Sequence, residues 1–553
     1  MPWGDYRIEF AWGSLPASPD FFGWLLGIDG YSELGETTYL GWNRLVPPST
    51  NWTDETTRIL DCSVSRGRDN VLDQINPGQA RLILNNYDGR YSPDLVTSPL
   101  FGLLQPLTPC RILCEYGAMT TVGSAVINRA SHHIGGLTWI EAANPVAHKG
   151  RITSVSLWFN ANVTGVQVAT FFETAPDTFS VRDYEAIGAV IGGSAQSFAV
   201  SLDCEVGDYL GVTFDHMGIA FGIETTTPGG AGVWWAAGDQ IPCTDVLFAW
   251  LAGSEHSIAG DGINVYPICQ MMIDEIKPKP HPSEQHCEIT LFDALTWLEL
   301  PKRTQTYTGV GIGALIGQAL DAVDWPTEMR LLDTGQLPAV TITYTDVPIL
   351  SGHILAALES ERGIFYIDRV GRSAYEDRHH RYKGAHLVSQ GMFNGSMVDF
   401  EPVLPSREIR NEIDVTYDAG SLLRSDELSI FYNGPRTYEV NAPLMGAAEA
   451  ASLAEWLLSR YKDPHSLPMR FMLVNRDAAD YVQMLDREIS DHITVIEPIS
   501  GISGDFHIEG IRHEFGGMFH KVTWLLSRID ANQYWLLGIT DYSELGQRTY
   551  LGY

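Results

Sequence analysis

Residues 80–93 read ARLILNNYDGRYSP, a strand-forming run followed at once by a cluster of turn residues. Asn, Asp and Gly suit that turn because they tolerate the backbone conformations that tight turns need. The run before it, TTRILDCSVSRGRD at 56–69, is β-prone and ends in charged turn residues. The run after it, TPCRILCEY at 108–116, alternates apolar and polar residues, as a half-buried strand does. Residues 57–117 are therefore predicted to form a strand-rich unit.

The composition changes over residues 118–267, where charge becomes sparse and Gly, Ala, Thr and aromatic residues become frequent. No helical period appears there, and turn residues separate the apolar runs. This spacing predicts a β-sandwich inserted into a surface loop of a host fold, which such loops tolerate well. Four clear strands carry the prediction: GRITSVSLWFNA at 150–161, GVQVATFFET at 165–174, SFAVSLDCEV at 197–206 and DYLGVTFD at 208–215.

Helices and strands alternate after the insertion. The apolar spacing predicts helices over 311–323 and 353–362, and good helix formers predict a third over 446–461, stopped by an Asp-Pro pair. Three strands of a meander are predicted near the end, from HITVIEP at 492–498, DFHIEGIRHEF at 505–515 and KVTWLLSRID at 521–530. We expect a mainly β, multi-domain chain with a few helices.

Length and charge limit the classes of function. The 553 residues are enough for three or four domains. The net charge of −32 disfavours sequence-specific nucleic-acid binding, because an acidic surface repels phosphates, although it permits a pore through which DNA slides. An acidic surface also simply keeps a protein soluble. No run approaches the roughly 18 apolar residues that span a bilayer. The first residues lack a secretory signal, so we expect folding in a reducing cytoplasm.

The cysteines and histidines show no metal pattern. Seven scattered cysteines without a CxxC pair indicate buried free thiols rather than a zinc site or disulfides. The pairs His132–His133 and His379–His380 are interpreted as solvated turn residues, because adjacent side chains on a strand point apart. The glycines at 309–313 lack the GK[ST] of a phosphate loop and are predicted to start a helix. We expect no metal, cofactor or catalytic residue, although a carboxylate pair is not excluded among 68 acidic residues.

One internal repeat is present. Residues 24–42 read WLLGIDGYSELGETTYLGW and residues 535–553 read WLLGITDYSELGQRTYLGY, with 14 of 19 positions identical. Exposed aromatic and aliphatic side chains usually need a partner surface. We predict two equivalent docking elements, although each copy could instead pack on its own domain. The predicted assembly contacts are Trp24, Leu25, Tyr39, Leu40, Trp535, Leu536, Tyr550 and Leu551.

Adjacent tryptophans are the candidate ligand site of the insertion. Trp234 and Trp235 follow a Gly-rich loop at 228–232, and neighbours on a strand face opposite ways. An exposed indole can stack on a sugar ring, so one of the two is a candidate glycan contact. A core role for both is the alternative, and Trp139 and Trp250 are expected to be core residues.

The order of several passages resembles the tail-hub proteins of long-tailed bacteriophages, namely the baseplate hub of contractile tails and the tail-tip hub of siphophages. The inserted module resembles the lectin-like or carbohydrate-binding β-sandwiches of phage tails. In this family a Phe-x-Gly turn usually stands where the insertion lies here, which leaves the strand pairing of the first barrel open. The passages are 64–68 with 78–86 and 91–93, 289–295 with its following helix, 361–368, and 506–513 with 521–524.

The resemblance implies two barrel-like hub domains and a homotrimer whose pseudo-sixfold ring joins a sixfold tail tube to a threefold tip. It also implies distal tail, tail tube, tape measure and tail fibre or tip proteins as partners, and a place in the virion tail tip after assembly in the host cytoplasm. The domains expected on this basis are an N-terminal arm (1–56), a first barrel (57–117 with 268–300), the inserted β-sandwich (118–267), an α+β domain (301–400), a second barrel (401–530) and a C-terminal arm (531–553).

Three functions follow from these observations. The first is a non-enzymatic structural hub of a phage tail tip that helps host attachment and DNA passage. The second is a receptor-binding tip protein that recognises host surface glycans through the insertion. The third is a tail-associated cell-wall hydrolase, which the absence of a recognisable hydrolytic motif disfavours.

Overall fold

Short alternating apolar runs make most of this chain β-structure, as the sequence predicts. The computed structural model describes residues 4–12, 52–69, 72–529, 533–535 and 549–551, with gaps inside the long range at 216–217, 227–228, 282–283, 338–339, 396, 405, 464–466 and 517–518. The chain divides into two compact units. The main unit contains residues 7–112 and 267–553, and the second unit contains residues 4–6 and 113–266.

The first strands show the alternation that the opening stretch predicts. Cys62 and Val64 in one strand, and Leu82 and Leu84 in the next, are buried while residues between them are more exposed. The two strands pair antiparallel, with Cys62 opposite Leu82. The strands are β1 (Asp5–Phe10), β2 (Thr53–Asp54), β3 (Ile59–Gly67), β4 (Asn76–Asn85) and β5 (Pro109–Ala118).

Among its described residues, the second unit contains strands and loops but no helix. The four strands predicted there correspond to β9, β10, β12 and β13 of the following set. In chain order the strands are β6 (Val122–Gly123), β7 (Ser131–Ile134), β8 (Leu137–Glu141), β9 (Gly150–Trp158), β10 (Val163–Ala175), β11 (Thr178–Val190), β12 (Ala195–Cys204), β13 (Tyr209–Thr213), β14 (Gly222–Thr226), β15 (Val233–Ala237), β16 (Val246–Leu247), β17 (Ala249–Leu251), β18 (Glu255–His256) and β19 (Ile258–Lys279).

The strands of the second unit form a sandwich. One layer has the order β16-β11-β10-β13-β8-β15-β17. In the second layer, β9 pairs with β12 on one side and with the first part of β19 on the other. Val155 and Leu157 of β9 meet Val168 of β10 and Val212 of β13 in a common core. Alternating inward-facing residues from two sheets are the expected core of a β-sandwich.

The remaining elements belong to the main unit. In chain order they are β20 (His286–Phe292), α1 (Leu295–Leu298), β21 (Lys302–Val310), α2 (Ile312–Asp321), β22 (Arg330–Leu332), β23 (Val340–Pro348), α3 (Leu355–Glu361), β24 (Ile364–Ile367), β25 (Ser373–Glu376), β26 (Gly391–Asn394), β27 (Asp399–Val403), β28 (Glu412–Tyr417), β29 (Gly420–Ser425), α4 (Glu427–Asn433), β30 (Thr437–Ala442), α5 (Ala447–Tyr461), β31 (Leu467–Val474), α6 (Ala478–Asp486), β32 (His492–Glu497), β33 (Ile502–Gly516), β34 (Phe519–Arg528), β35 (Gln533–Trp535) and β36 (Thr549–Leu551).

Helices α2, α3 and α5 lie where the sequence predicts helices. Leu315 and Ile316 of α2 and Leu453 and Leu457 of α5 are fully buried, and they belong to one hydrophobic core. Their spacing places the apolar residues of each helix on the side that packs against the rest of the unit. The glycines before α2 precede a helix as expected, and Gly309 has a φ of +63°, a conformation that favours glycine.

One sheet of the main unit joins distant parts of the sequence. Its order is β2-β1-β5-β19-β20-β4-β3-β33-β34-β31-β27, with β32 on β33 and β26 on β32. The predicted meander is present, because β32, β33 and β34 pair antiparallel in succession. Strand β3 pairs antiparallel with β33, and Val64 lies opposite His513. The first and last blocks of the chain therefore share one sheet.

The contact between β3 and β33 contains a buried ion-pair network. Glu509 of β33 is 1% exposed and binds Arg68 at 2.7 Å and Arg381 at 3.0 Å, and the Ser527 hydroxyl donates to the same carboxylate. Burial opposes ionisation, but the guanidinium groups of Arg381 and Arg68 hold the pKa of Glu509 well below its usual range. The carboxylate is therefore charged and fully partnered.

A glycine allows the two strands to approach. Gly67 has a φ of +94°, and a Cβ atom at this position would lie 2.3 Å from the Glu509 carbonyl oxygen. The next residue, Arg68, donates its backbone N–H to that same oxygen at 2.9 Å. The positive φ and the lack of room both require glycine here.

We predict that Glu509→Gln destabilises the main unit by about 3–5 kcal/mol, because it leaves two buried guanidinium groups without their carboxylate. Denaturant unfolding of the full chain measures the change. Glu514→Gln is the control. It removes the partly exposed ion pair between Glu514, on the same strand as Glu509, and Lys521 of β34, and it should lower the free energy of unfolding by less than about 1 kcal/mol. Equal effects of the two substitutions would contradict the proposed importance of the network.

Candidate functional site

Trp234 of β15 lies in a small aromatic core of the second unit. This residue is 9% exposed, and its ring centroid lies 4.9 Å from that of Phe179 and 5.1 Å from that of Tyr209. The indole N–H donates to Asp177 Oδ1 at 2.7 Å. Trp234 is therefore a core residue, which is the alternative to an exposed glycan contact. Its indole N–H has a hydrogen-bond partner in Asp177 of the neighbouring turn.

Trp235 points to the other side of β15 and is half-buried. It packs against the main core of the sandwich, where its ring centroid lies 6.3 Å from that of Trp139. Adjacent residues of one strand thus contribute to two different apolar clusters, as the alternation of side chains predicts. Trp139 is a core residue, as expected, with 5% exposure.

The exposed indole of this region belongs to Trp250 instead. Trp250 of β17 is 44% exposed, so the expectation that it is a core residue is wrong. It pairs with Trp234 across the strands, and the two ring centroids are 4.6 Å apart. A Cβ atom on Gly232 would lie 2.0 Å from the Trp250 ring, so glycine is needed at that position for the indole to lie over the strand.

The arrangement offers an aromatic surface with polar groups beside it. Trp250 supplies the exposed ring, Trp234 supports it from below, and Tyr209 is half-buried beside Trp234. Asp177, in the turn between β10 and β11, accepts the Trp234 N–H through one oxygen, Oδ1. A flat exposed ring such as that of Trp250 can stack on a sugar face.

A second cluster of polar side chains lies inside the same sandwich. Glu141 Oε2 accepts the backbone N–H of His256 at 2.6 Å, and Nε2 of His256 lies 2.9 Å from Nδ1 of His133. Burial raises the pKa of Glu141 to about 7, and burial also lowers the pKa of both histidines. The ring of His133 stacks on Trp139 with centroids 4.4 Å apart.

The structure changes the interpretation of the histidine pairs. His132 and His133 lie in strand β7, not in a turn, and β7 pairs with β14. His380 begins a short helical turn after His379, and its Nδ1 lies 2.8 Å from Asp333 Oδ2. Among the described residues no group of three or more His, Cys, Asp or Glu side chains could hold a metal ion.

The cysteines are free thiols, as predicted. Six of the seven are buried and Cys243 is partly buried. Cys110 and Cys114 are both completely buried in β5. No helix within the described ranges is long and apolar enough to cross a membrane.

The predicted assembly contacts fall mostly outside the described residues. This applies to Trp24, Leu25, Tyr39, Leu40 and Leu536. The backbone of the other three belongs to two short parallel strands, in which Trp535 of β35 lies opposite Leu551 of β36, next to Tyr550. Their role in assembly stays a prediction.

We predict that Glu141→Gln changes how the stability of the sandwich depends on pH. The pKa of this carboxyl group is higher in the folded than in the unfolded protein. The stability of the parent sandwich should therefore fall as the pH rises from about 4.5 to about 7. The glutamine variant lacks this loss, so its stability relative to the parent should improve by up to about 3 kcal/mol between pH 4 and pH 8.

Hydrogen exchange of the peptides that cover β8 measures the free energy of opening this part of the sandwich at each pH. Glu185→Gln, at an exposed position of the same unit, is the control for the exchange of glutamate for glutamine at the surface. A stability difference for Glu141→Gln that stays constant with pH would contradict the raised pKa.

No protein-family model matches the sequence, and no curated protein matches it. Among solved structures, the chain is similar to the 43 kDa tail protein of prophage MuSo2 from Shewanella oneidensis, with 11% identity, 71% of this chain and 98% of that chain covered, and a TM-score of 0.37. It is similar to a tail protein from Neisseria meningitidis, with 10% identity, coverage of 67% and 97%, and a TM-score of 0.37.

A third similar structure is a component of the type VI secretion system of E. coli that is described as structurally similar to the T4 tail proteins gp27 and gp5. It shares 8% identity, with 71% of this chain and 77% of that chain covered and a TM-score of 0.29. These three solved structures are thus two tail proteins and a secretion component likened to tail proteins.

Proposed function

We propose that this protein is a structural, non-enzymatic hub of a bacteriophage tail tip. The observation that carries the proposal is that three of the four hub-like passages lie next to one another in one sheet, while passage 361–368 belongs to the sheet of β22, β24 and β25. Passages 64–68 and 78–86 form β3 and β4, passage 289–295 contributes β20, and passages 506–513 and 521–524 lie in β33 and β34. These strands are neighbours in the order β20-β4-β3-β33-β34, although more than 400 residues separate β3 from β33 along the chain.

The insertion fits the same proposal. The chain leaves the main unit after Ile112 and returns to it at Pro267, and the strands that carry it out and back are β5 and β19. These two strands are neighbours in the sheet. An insertion between neighbouring strands leaves the host fold intact, because its two ends are already close together. This supports a hub with an added module.

In this role the chain forms a homotrimer in the virion tail tip, after assembly in the host cytoplasm. Its ring joins the sixfold tail tube to the threefold tip and contacts the tube, tape measure and fibre or tip proteins. A closed ring leaves no free sheet edges, which favours such an assembly. The excess of 68 acidic over 36 basic residues suits a channel through which DNA passes without adhering.

We predict a particle of about three times 61.2 kDa in solution or in isolated tails, because ring closure needs three copies. Native mass spectrometry of the full chain and cryo-electron microscopy of the tails measure this. Phage that lack the protein should assemble no complete tails, and the purified protein should clear no zone in a peptidoglycan zymogram. A permanent monomer that never enters particles would refute the hub.

We further propose a second function, recognition of host surface glycans by the inserted module. The specific observation is the exposed Trp250 ring held over Trp234, whose indole N–H is fixed by its hydrogen bond to Asp177. Trp234 is a core residue and contributes to this proposed surface only as the support of the Trp250 ring. Trp235 packs into the main core of the sandwich on the opposite face of β15, so it is not part of the proposed surface.

We predict that Trp250→Ala weakens glycan binding by the full chain at least tenfold, because stacking of a sugar ring on the indole is lost. Glycan-array binding followed by titration of the best ligand measures the loss. Tyr184→Ala is the matched control, since Tyr184 is an aromatic residue of the same unit with 46% exposure against 44% for Trp250. Absence of any glycan ligand, or equal binding by the two variants, would end this second proposal.

A further inference from the structure

The main unit contains a cavity of about 290 Å³ that neither proposed function uses. Four parts of the chain line it. They are helix α3 together with the start of β24, the segment that follows β3, the segment that follows β25, and the end of α5. Its volume lies at the lower end of the range for small-molecule pockets. All of its lining residues belong to the main unit.

Part of the cavity lining is apolar. Leu355 and Leu358 of α3, Phe365 of β24, and Trp456 of α5 line it, together with Ile75. These side chains also border the large helical core, so their positions are held by packing. A rigid apolar wall is suited to an aliphatic or aromatic group of a ligand.

The lining also carries guanidinium groups, most of which have partners. Arg68 and Arg381 bind Glu509, and Arg378 Nε lies 3.5 Å from Glu361. Arg460 lies over the Trp456 ring at 5.5 Å and donates to the Arg528 carbonyl oxygen at 3.0 Å. These four cations are therefore engaged by the protein itself.

Arg362 differs from them. Over the described part of the chain, its guanidinium has no hydrogen-bond or ion-pair partner, although its charge acts on nearby Glu359. Burial raises the pKa of Glu359, and the charge of Arg362 opposes that rise. A guanidinium without a partner among the described residues, on the wall of a cavity that also has apolar lining residues, is a site for an anion.

The backbone at Arg362 gives a second reason. Arg362 ends α3 with a φ of +59°, in the left-handed region where glycine or asparagine is usual. Arginine costs stability there relative to glycine, so its presence indicates a use for the side chain. The next residue, Gly363, has no space for a Cβ atom, which would lie 2.6 Å from the Glu376 carbonyl oxygen.

Two of the acidic residues of the lining, Asp377 and Glu376, are engaged by other groups of the protein. Asp377 is bound by Lys383 at 3.0 Å and by the Gln336 amide at 2.6 Å. Glu376 is buried and accepts a hydrogen bond from Tyr366 at 2.8 Å, and burial raises its pKa, which favours its neutral form. Arg362 is thus the cation of this wall that is left for a ligand.

We propose that this cavity binds an organic carboxylate with an apolar body, the carboxylate on Arg362 and the body against Leu355 and Trp456. The inference goes beyond the proposed hub and glycan roles and does not depend on either. The same chemistry could come from a free small acid or from a glutamate side chain in a peptide segment. The repeated sequence YSELG, at 31–35 and 542–546, is one such segment in this chain.

The test uses the full chain and two pairs of probes. One pair is 3-phenylpropionate and its neutral amide, and the other is the blocked peptide YSELG and its counterpart with Gln in place of Glu. Ligand-observed NMR titration should show that at least one anion binds about tenfold or more tightly than its neutral partner. Binding of the acid alone indicates a free ligand, and binding of the peptide indicates a segment.

Two variants and a control locate the site. Arg362→Gln should abolish the preference for the anion, and Leu355→Trp should abolish binding by filling the cavity, with thermal unfolding used to check that each variant folds. Arg424→Gln is the matched control, since Arg424 is a partly exposed arginine of β29 outside the cavity. The proposal is overturned if neither anion binds, or if Arg362→Gln keeps the preference for the anion.

Discussion

The burial of Glu509 between Arg68 and Arg381 is the interaction on which the main unit most depends. A carboxylate inside a protein is tolerated only when opposite charges and hydrogen bonds replace its lost water. The three residues come from β33, from the end of β3 and from the segment after β25, so the network can form only when all three have reached their places. It therefore makes one fold of the first, middle and last parts of the chain.

The same network explains how the main unit tolerates a long interruption. Strand β3 is held to β33 by backbone pairing, by the close approach at Gly67 and by the Arg68 ion pair. None of these contacts involves residues 113–266. The strand pairing of this sheet therefore does not depend on the insertion. Lengthening the connection between β5 and β19 costs only chain entropy, and that cost grows slowly with the length of the connection.

Much of the fold could be predicted from sequence because it depends on local patterns. The period of two in β3, β4 and β9, and the helical spacing in α2 and α5, are properties of neighbouring residues. The site residues depend on tertiary neighbours instead. Trp234 and Trp250 are both tryptophans in short apolar strands, and only the packing of Phe179 and Tyr209 over one of them decides which is exposed.

The charged residues were still harder to predict, and their pairing decides what each arginine can bind. Arg68 and Glu509 are 441 positions apart, and among 36 basic and 68 acidic residues no sequence pattern selects that pair. A passing polyanion would have to displace the Glu509 carboxylate to reach Arg68 or Arg381, so the arginines that stabilise the fold are withheld from phosphates. Arg362 is the contrasting case, because it has a left-handed conformation and its guanidinium has no partner among the described residues, neither of which its sequence neighbours predict. The sequence signal that could have raised attention is the Arg-Gly pair that ends the helix, where glycine alone is usual.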